Sequence, residues 1–145
     1  MTDNVYLGNP NLKKANTQIQ FTEEQIIEFL KCKEDPVYFA MNYIKIISLD
    51  EGIVPFKMWD FQQELIESFH EHRFNIAKLP RQTGKSTTCV SYLLHYILFN
   101  DNVNVGILAN KLSTARDLLS RLQLAYEQLP LWIQQGIVVY NKWSM

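Results

Sequence analysis

Cysteine is scarce in this chain. Its 145 residues include only Cys32 and Cys89, far apart and in no C-x-x-C arrangement. That spacing argues against a disulfide framework or a thiolate metal site, and both are expected as free, largely buried thiols. His70, His72 and His95 also lack metal-ligand spacing, with the first two expected on the exposed end of a helix. There is no basic excess: 14 Lys+Arg stand against 15 Asp+Glu, a net charge of −1. Composition therefore gives no support for DNA or RNA contact. No apolar run approaches the length of a membrane span. The opening residues MTDNVYLGNPNLKK lack the charged region and apolar core of a signal peptide. A reducing, cytoplasmic compartment is expected. No repeat or low-complexity segment stands out.

What is present is ordinary for a globular domain, with 47% hydrophobic and 20% charged residues. Residues 1–18, rich in Asn, Lys, Gly and Pro, have little periodicity and are expected to be a mobile arm. Thr22-Glu23-Glu24-Gln25 fits a capping box, with Phe21 and Ile26 placed as a hydrophobic staple. Asp35-Pro36 starts a second helix, an N-cap followed by proline at the first helical position, running to about Tyr43 or Ile44. Residues 44–49 and 53–56, joined across Asp50-Glu51-Gly52, form a small expected hairpin. From Trp59 the four-residue spacing of Phe61, Leu65 and Phe69 predicts another helix.

From residue 74 the pattern becomes strand, loop, helix, strand, helix, strand. Residues 74–79 read as the first strand and 103–109, nearly all apolar, as a strand covered on both faces. Residues 137–140 read as the third. Helices are expected between them, one carrying Cys89, Val90, Leu93, Leu94, Ile97 and Leu98, the other following Ser113 and stopped by Pro130. The alternation predicts an α/β fold with a parallel sheet and right-handed crossovers, preceded by a small helical layer.

The loop between the first strand and its helix carries the chemistry. Residues 79–86 read LPRQTGKS, ending in the G-K-S of a phosphate-binding loop but with Leu79 where the general pattern G-x-x-x-x-G-K-[ST] has glycine. The tripeptide alone is weak; its setting between a strand and a strong helix gives it weight. There, backbone N–H groups and the helix N-terminus face phosphate oxygens. Lys85 would neutralise the β- and γ-phosphates, Ser86 would ligate Mg²⁺, and Gly84 would admit the phosphates to the backbone. The rival reading is a plain strand–helix turn with an exposed lysine.

LPRQTGKST resembles the variant loop of the large terminase subunit of tailed bacteriophages, the ATPase that drives DNA into proheads. In that family the loop commonly reads R-Q-x-G-K-[ST] and need not begin with glycine. WDFQQEL at 59–65 is similar to the family's aromatic-Gln segment. VGILANKLSTARDLL at 105–119 is similar to its second strand and helix, and LPLWIQQGIVVYNKWSM at 129–145 to the segment after that helix. The likeness is closest to large contractile-tailed phages and runs from about Trp59 to Met145; DPVYFAMNYIKI upstream fits more loosely.

The resemblance implies a P-loop NTPase-type parallel sheet with helices on both faces, and an ATP site with Mg²⁺ held by Ser86. Pro80, Arg81, Gln82, Thr83, Gly84, Lys85, Ser86 and Thr87 would surround the phosphates. Gln62 would contact adenine with Phe61 packing nearby, unless it is only a helix-surface glutamine. Arg81 would stabilise charge at the γ-phosphate with Lys85, unless it is merely solvated. It further implies double-stranded DNA, the portal protein and the small terminase subunit as partners, in the host cytoplasm. Lys111, Arg116 and Arg121 would face DNA or form the polar side of an amphipathic helix.

The family's acidic strand end, with its Mg²⁺-binding aspartate and water-activating glutamate, has no counterpart here, nor has its nuclease domain. The expectation is the nucleotide-gripping first half of an ATPase domain (74–145), a fragment with an incomplete sheet, limited stability and little hydrolysis alone. A helicase-like ATPase and a non-enzymatic remnant stay open as alternatives.

Overall fold

The computed structural model describes residues 4–48 and 50–145. Among them lie five helices and two two-stranded antiparallel sheets, a mixed α/β arrangement. The strands are β1 (Val5–Tyr6), β2 (Asn9–Lys13), β3 (Lys45–Ser48) and β4 (Gly52–Pro55). The helices are α1 (Glu23–Glu34), α2 (Pro36–Tyr43), α3 (Asp60–Glu71), α4 (Lys85–Phe99) and α5 (Leu112–Glu127).

Local signals place the first helices. The Thr22 hydroxyl accepts from Gln25 N at 3.2 Å while Gln25 Oε1 accepts from Thr22 N at 3.1 Å, the reciprocal capping box. Phe21 meets the edge of the Phe29 ring at 6.2 Å, and both Phe21 and Ile26 stay exposed. Asp35 closes α1 and opens α2, its carboxylate accepting from Val37 N and Tyr38 N. Lys45 pairs with Pro55 and Ser48 with Gly52 in the β3–β4 hairpin, as expected. Leu49, assigned to that hairpin from sequence, falls outside the described residues.

Helix α4 is the centre of the molecule, packed by α2, α3 and α5. Its Val90, Leu94 and Leu98 are buried with Thr88, Ser91 and His95 on the same side. His95 Nε2 donates to the Cys32 carbonyl at 2.8 Å, and Phe39 and Phe99 close round the ring. Burial lowers the His95 pKa and pushes the Cys32 thiol up to about 12, both by desolvation of the charged form. Both cysteines are free thiols; Cys32 is buried and Cys89 half-buried.

Three expectations fail. The N-terminal segment from Asn4 to Ala15 is tied to the rest of the chain and is no arm: β1 pairs with β2, Leu12 is 2% exposed, Lys14 bridges Ile137 in parallel, and Ala15 N donates to Ile137 O. Gln134, itself buried, holds β2 by accepting from Lys13 N at 3.0 Å and donating to Asn11 O at 2.8 Å. Gly136 lets Lys14 and Ala15 pass; a Cβ there would lie 2.8 Å from Lys14 O and 2.9 Å from Ala15 N. Residues 1–3 of the expected arm lie outside the described residues.

Second, residues 74–79 and 103–109 form no strands, and residues 137–140 contribute only the Ile137 bridge. Third, no parallel sheet exists among the described residues. In 103–107 the side chains keep strand alternation: Val103, Val105 and Ile107 are half-buried while Asn104 and Gly106 are exposed. A strand, however, is defined by backbone bonds to a neighbour, and neither segment has one among the described residues. Phe74, Ile76 and Leu108 consequently stand out in solvent. Among the described residues, no helix is long and apolar enough to cross a membrane.

Candidate phosphate-binding site

The segment from Arg73 to Gly84 leaves α3 and enters α4 as an irregular loop. Its last turn is set by two left-handed residues, Gln82 (φ 62°) and Gly84 (φ 72°, ψ 13°). Gly84 is the N-cap of α4, with no side-chain cap bond. Its carbonyl accepts from Thr88 N at 3.0 Å and Thr88 Oγ1 at 3.1 Å. The N–H groups of Lys85, Ser86 and Thr87 precede the first intrahelical bond and are free for an acceptor beyond the helix end. With the positive end of the macrodipole there, the helix start favours an anion.

Gln82, Thr83, Gly84, Lys85, Ser86 and Thr87 line one cavity of about 220 Å³. That is below the usual range of about 300–1,000 Å³ for drug-sized ligands and suits phosphate groups better than a whole nucleotide. The Lys85 ammonium bends back across the loop, donating to Leu79 O at 3.2 Å and to Pro80 O. Thr83 Oγ1 also donates to Pro80 O, at 3.0 Å. An ammonium has three donors, so one remains for a ligand.

The other expected residues divide. Arg81 is exposed and does not line the cavity. Phe61 packs against Trp59, ring centres 5.6 Å apart, and is likewise outside it. Gln62 is 4% exposed, and its amide is engaged at both ends: Oε1 accepts from Trp59 N at 3.0 Å and Nε2 donates to Thr83 O at 3.2 Å. The glutamine expected to face adenine is thus bonded to the loop that precedes α4. Ser86 is exposed at the cavity wall and offers one hydroxyl oxygen. It fits Mg²⁺ as a single protein ligand; no carboxylate lines the cavity among the described residues, so phosphate and water would supply the remainder.

One residue was not singled out for this site from sequence. Arg121 of α5 is the seventh residue lining the cavity, bringing a second cation to the loop. A guanidinium suits phosphate by its planar fork of donors. No local spacing marks it, because the α4–α5 packing brings it there. Arg121 and Thr87 also line a neighbouring cavity of about 380 Å³ walled by Ile44, Ile46, Val90 and Leu124. Arg116 behaves differently: its guanidinium lies 3.7 Å from the centre of the Trp143 ring, with Nε buried and unbonded. Lys111 is the exposed N-cap of α5.

Fold and site together describe a mixed α/β chain with a cationic loop at the start of its central helix. No protein-family model matches the chain.

Proposed function

We propose that this chain binds the polyphosphate of a nucleoside triphosphate, ATP with Mg²⁺, at the loop 80–87. The observation that carries the reading is that Lys85, Ser86 and Thr87 of the first turn of α4 line one small cavity together with Arg121 of α5. Each supplies what a polyphosphate needs: two cations, a hydroxyl for the metal, and N–H donors at a positive helix end. The finer reading is the ATP-binding part of a phage terminase large subunit, acting with the portal protein and small subunit on double-stranded DNA. What supports it is R-Q-T-G-K-S at 81–86 with W-D-F-Q-Q at 59–63 upstream. A P-loop parallel sheet belongs to this finer reading and would require 74–79 and 103–109 to gain strand neighbours.

Calorimetric titration with ATP and with inorganic tripolyphosphate, each with Mg²⁺, tests it. Lys85→Ala and Arg121→Ala should each weaken both ligands by about 10- to 100-fold, the loss of one or two charge-assisted bonds. Equal affinity of parent and Lys85→Ala would sink the assignment.

A further inference from the structure

We propose that Gln62 is a positioning residue of the phosphate loop, which aims the Gly84 N–H at the bound phosphate and takes no part in reading the base. This deepens the polyphosphate reading above and rests on it. Gln62 is fixed at the start of α3, where its Oε1 caps Trp59 N, and its Nε2 reaches across to Thr83 O. The peptide joining Thr83 to Gly84 is planar and trans, so its C=O and N–H point in opposite directions. Holding the carbonyl on Gln62 therefore turns the Gly84 N–H away from α3. Thr83 and Gly84 both line the phosphate cavity.

Two further features need this arrangement. Gly84 has φ 72°, a region open to glycine, so its flanking peptides can rotate unless something restrains them. The Gln62 amide also fills the space beside Gly84, where an added Cβ would sit 2.5 Å from Nε2. A nearly sealed side chain with both amide ends on backbone partners is placed to restrain a peptide plane. Adenine would find almost no exposed amide to contact.

The test uses Gln62→Met, which keeps the side-chain volume and removes both polar ends. ATP, GTP and inorganic tripolyphosphate are titrated with Mg²⁺ against parent and variant. All three should weaken by a similar factor, about tenfold for one misdirected N–H to a charged acceptor, leaving the ATP:GTP ratio unchanged. Selective loss of ATP with GTP and tripolyphosphate unaffected would overturn the proposal and restore a base-reading role. So would three unchanged affinities.

Gln62→Glu supplies a ligand-free arm. The carboxylate still accepts from Trp59 N, so α3 keeps its start, but when ionised it cannot donate to Thr83 O. The Gly84 amide resonance should shift in both variants relative to parent, and its hydrogen exchange should quicken. An unmoved Gly84 amide in both variants refutes the positioning role whatever the ligands do. If the parent binds none of the three probes, the polyphosphate reading fails, and the Gly84 amide alone decides whether Gln62 holds the loop.

Discussion

Replacing Gln134 with methionine should uncouple the N-terminal hairpin from the body of the molecule. The Gln134 side chain lies at 2% exposure between β2 and the segment after α5. Its Oε1 accepts from Lys13 N at 3.0 Å, and its Nε2 donates to Asn11 O at 2.8 Å and Leu129 O at 2.9 Å. Methionine fills similar space and makes none of these bonds, stranding one backbone donor and two carbonyls. A hydrogen bond contributes about 1 kcal/mol net, and leaving a buried partner unsatisfied costs about 1–3 kcal/mol. Water will reach the exposed Asn11 and the half-buried Lys13 more easily than the buried Leu129, so a total of about 2–4 kcal/mol is expected rather than the full sum. For a chain of this length that corresponds to a fall in melting temperature of about 5–15 °C. Thermal unfolding followed by circular dichroism reads the stability. Amide exchange at Lys13 and Lys14, whose N–H groups donate to Gln134 Oε1 and Asn4 O, reads the coupling, with protection in the parent and its loss in the variant. A change below about 0.5 kcal/mol, the ordinary effect of a surface substitution, would refute this reasoning. So would unprotected Lys13 and Lys14 amides in the parent, which would return that segment to a mobile arm.

Gly136→Ala should perturb the same junction from the other side, because its Cβ meets the backbone of Lys14 and Ala15. A loss of about 1–3 kcal/mol, typical of overpacking, is expected in a denaturant melt, with faster exchange at Ala15; a neutral result would mean the two segments are not in contact. His95 predicts a pH dependence. Its folded pKa is depressed below 6.5, chiefly by burial. The unfolded chain therefore takes up a proton before the folded one as pH falls. The His95 contribution is complete above about pH 6.5 and lost progressively below it, down to the depressed folded pKa. In His95→Gln, which can still donate to Cys32 O, the melting temperature should fall less between about pH 7.5 and 5.5 than in the parent. Matching slopes for the two proteins would exclude His95 as the source.

The parts of the fold legible from sequence are those fixed by neighbours along the chain. Thr22 and Asp35 announced their helices because a cap bond spans two or three residues. The β3–β4 hairpin was visible for the same reason, its strands lying next to each other along the chain with the turn residues Asp50 and Glu51 just before Gly52. The start of α4 at Gly84-Lys85 was equally local. Residues 74–79 and 103–109 have the composition of strands, but a strand is completed by a partner elsewhere, and composition does not say whether one is present. The N-terminal segment failed in the opposite sense. Its polar residues read as mobile, while the groups that fix it, Gln134 and Ile137, lie more than a hundred positions away.

The candidate site divides along the same line. The sequence by itself determined the loop 80–87, its lysine, its hydroxyls and its glycine, since a helix N-terminus and the residues before it are contiguous. Tertiary structure alone decided three things about it. Arg121 reaches the cavity because α5 packs on α4. Arg81 and Phe61 lie outside its wall although they sit beside residues that matter. Gln62, adjacent to the loop in space, gives its amide to Thr83. The physical reason is one of range: caps, turns and helix starts are satisfied within a few residues, whereas a buried amide or a guanidinium takes whichever partner packing brings within 3 Å or so.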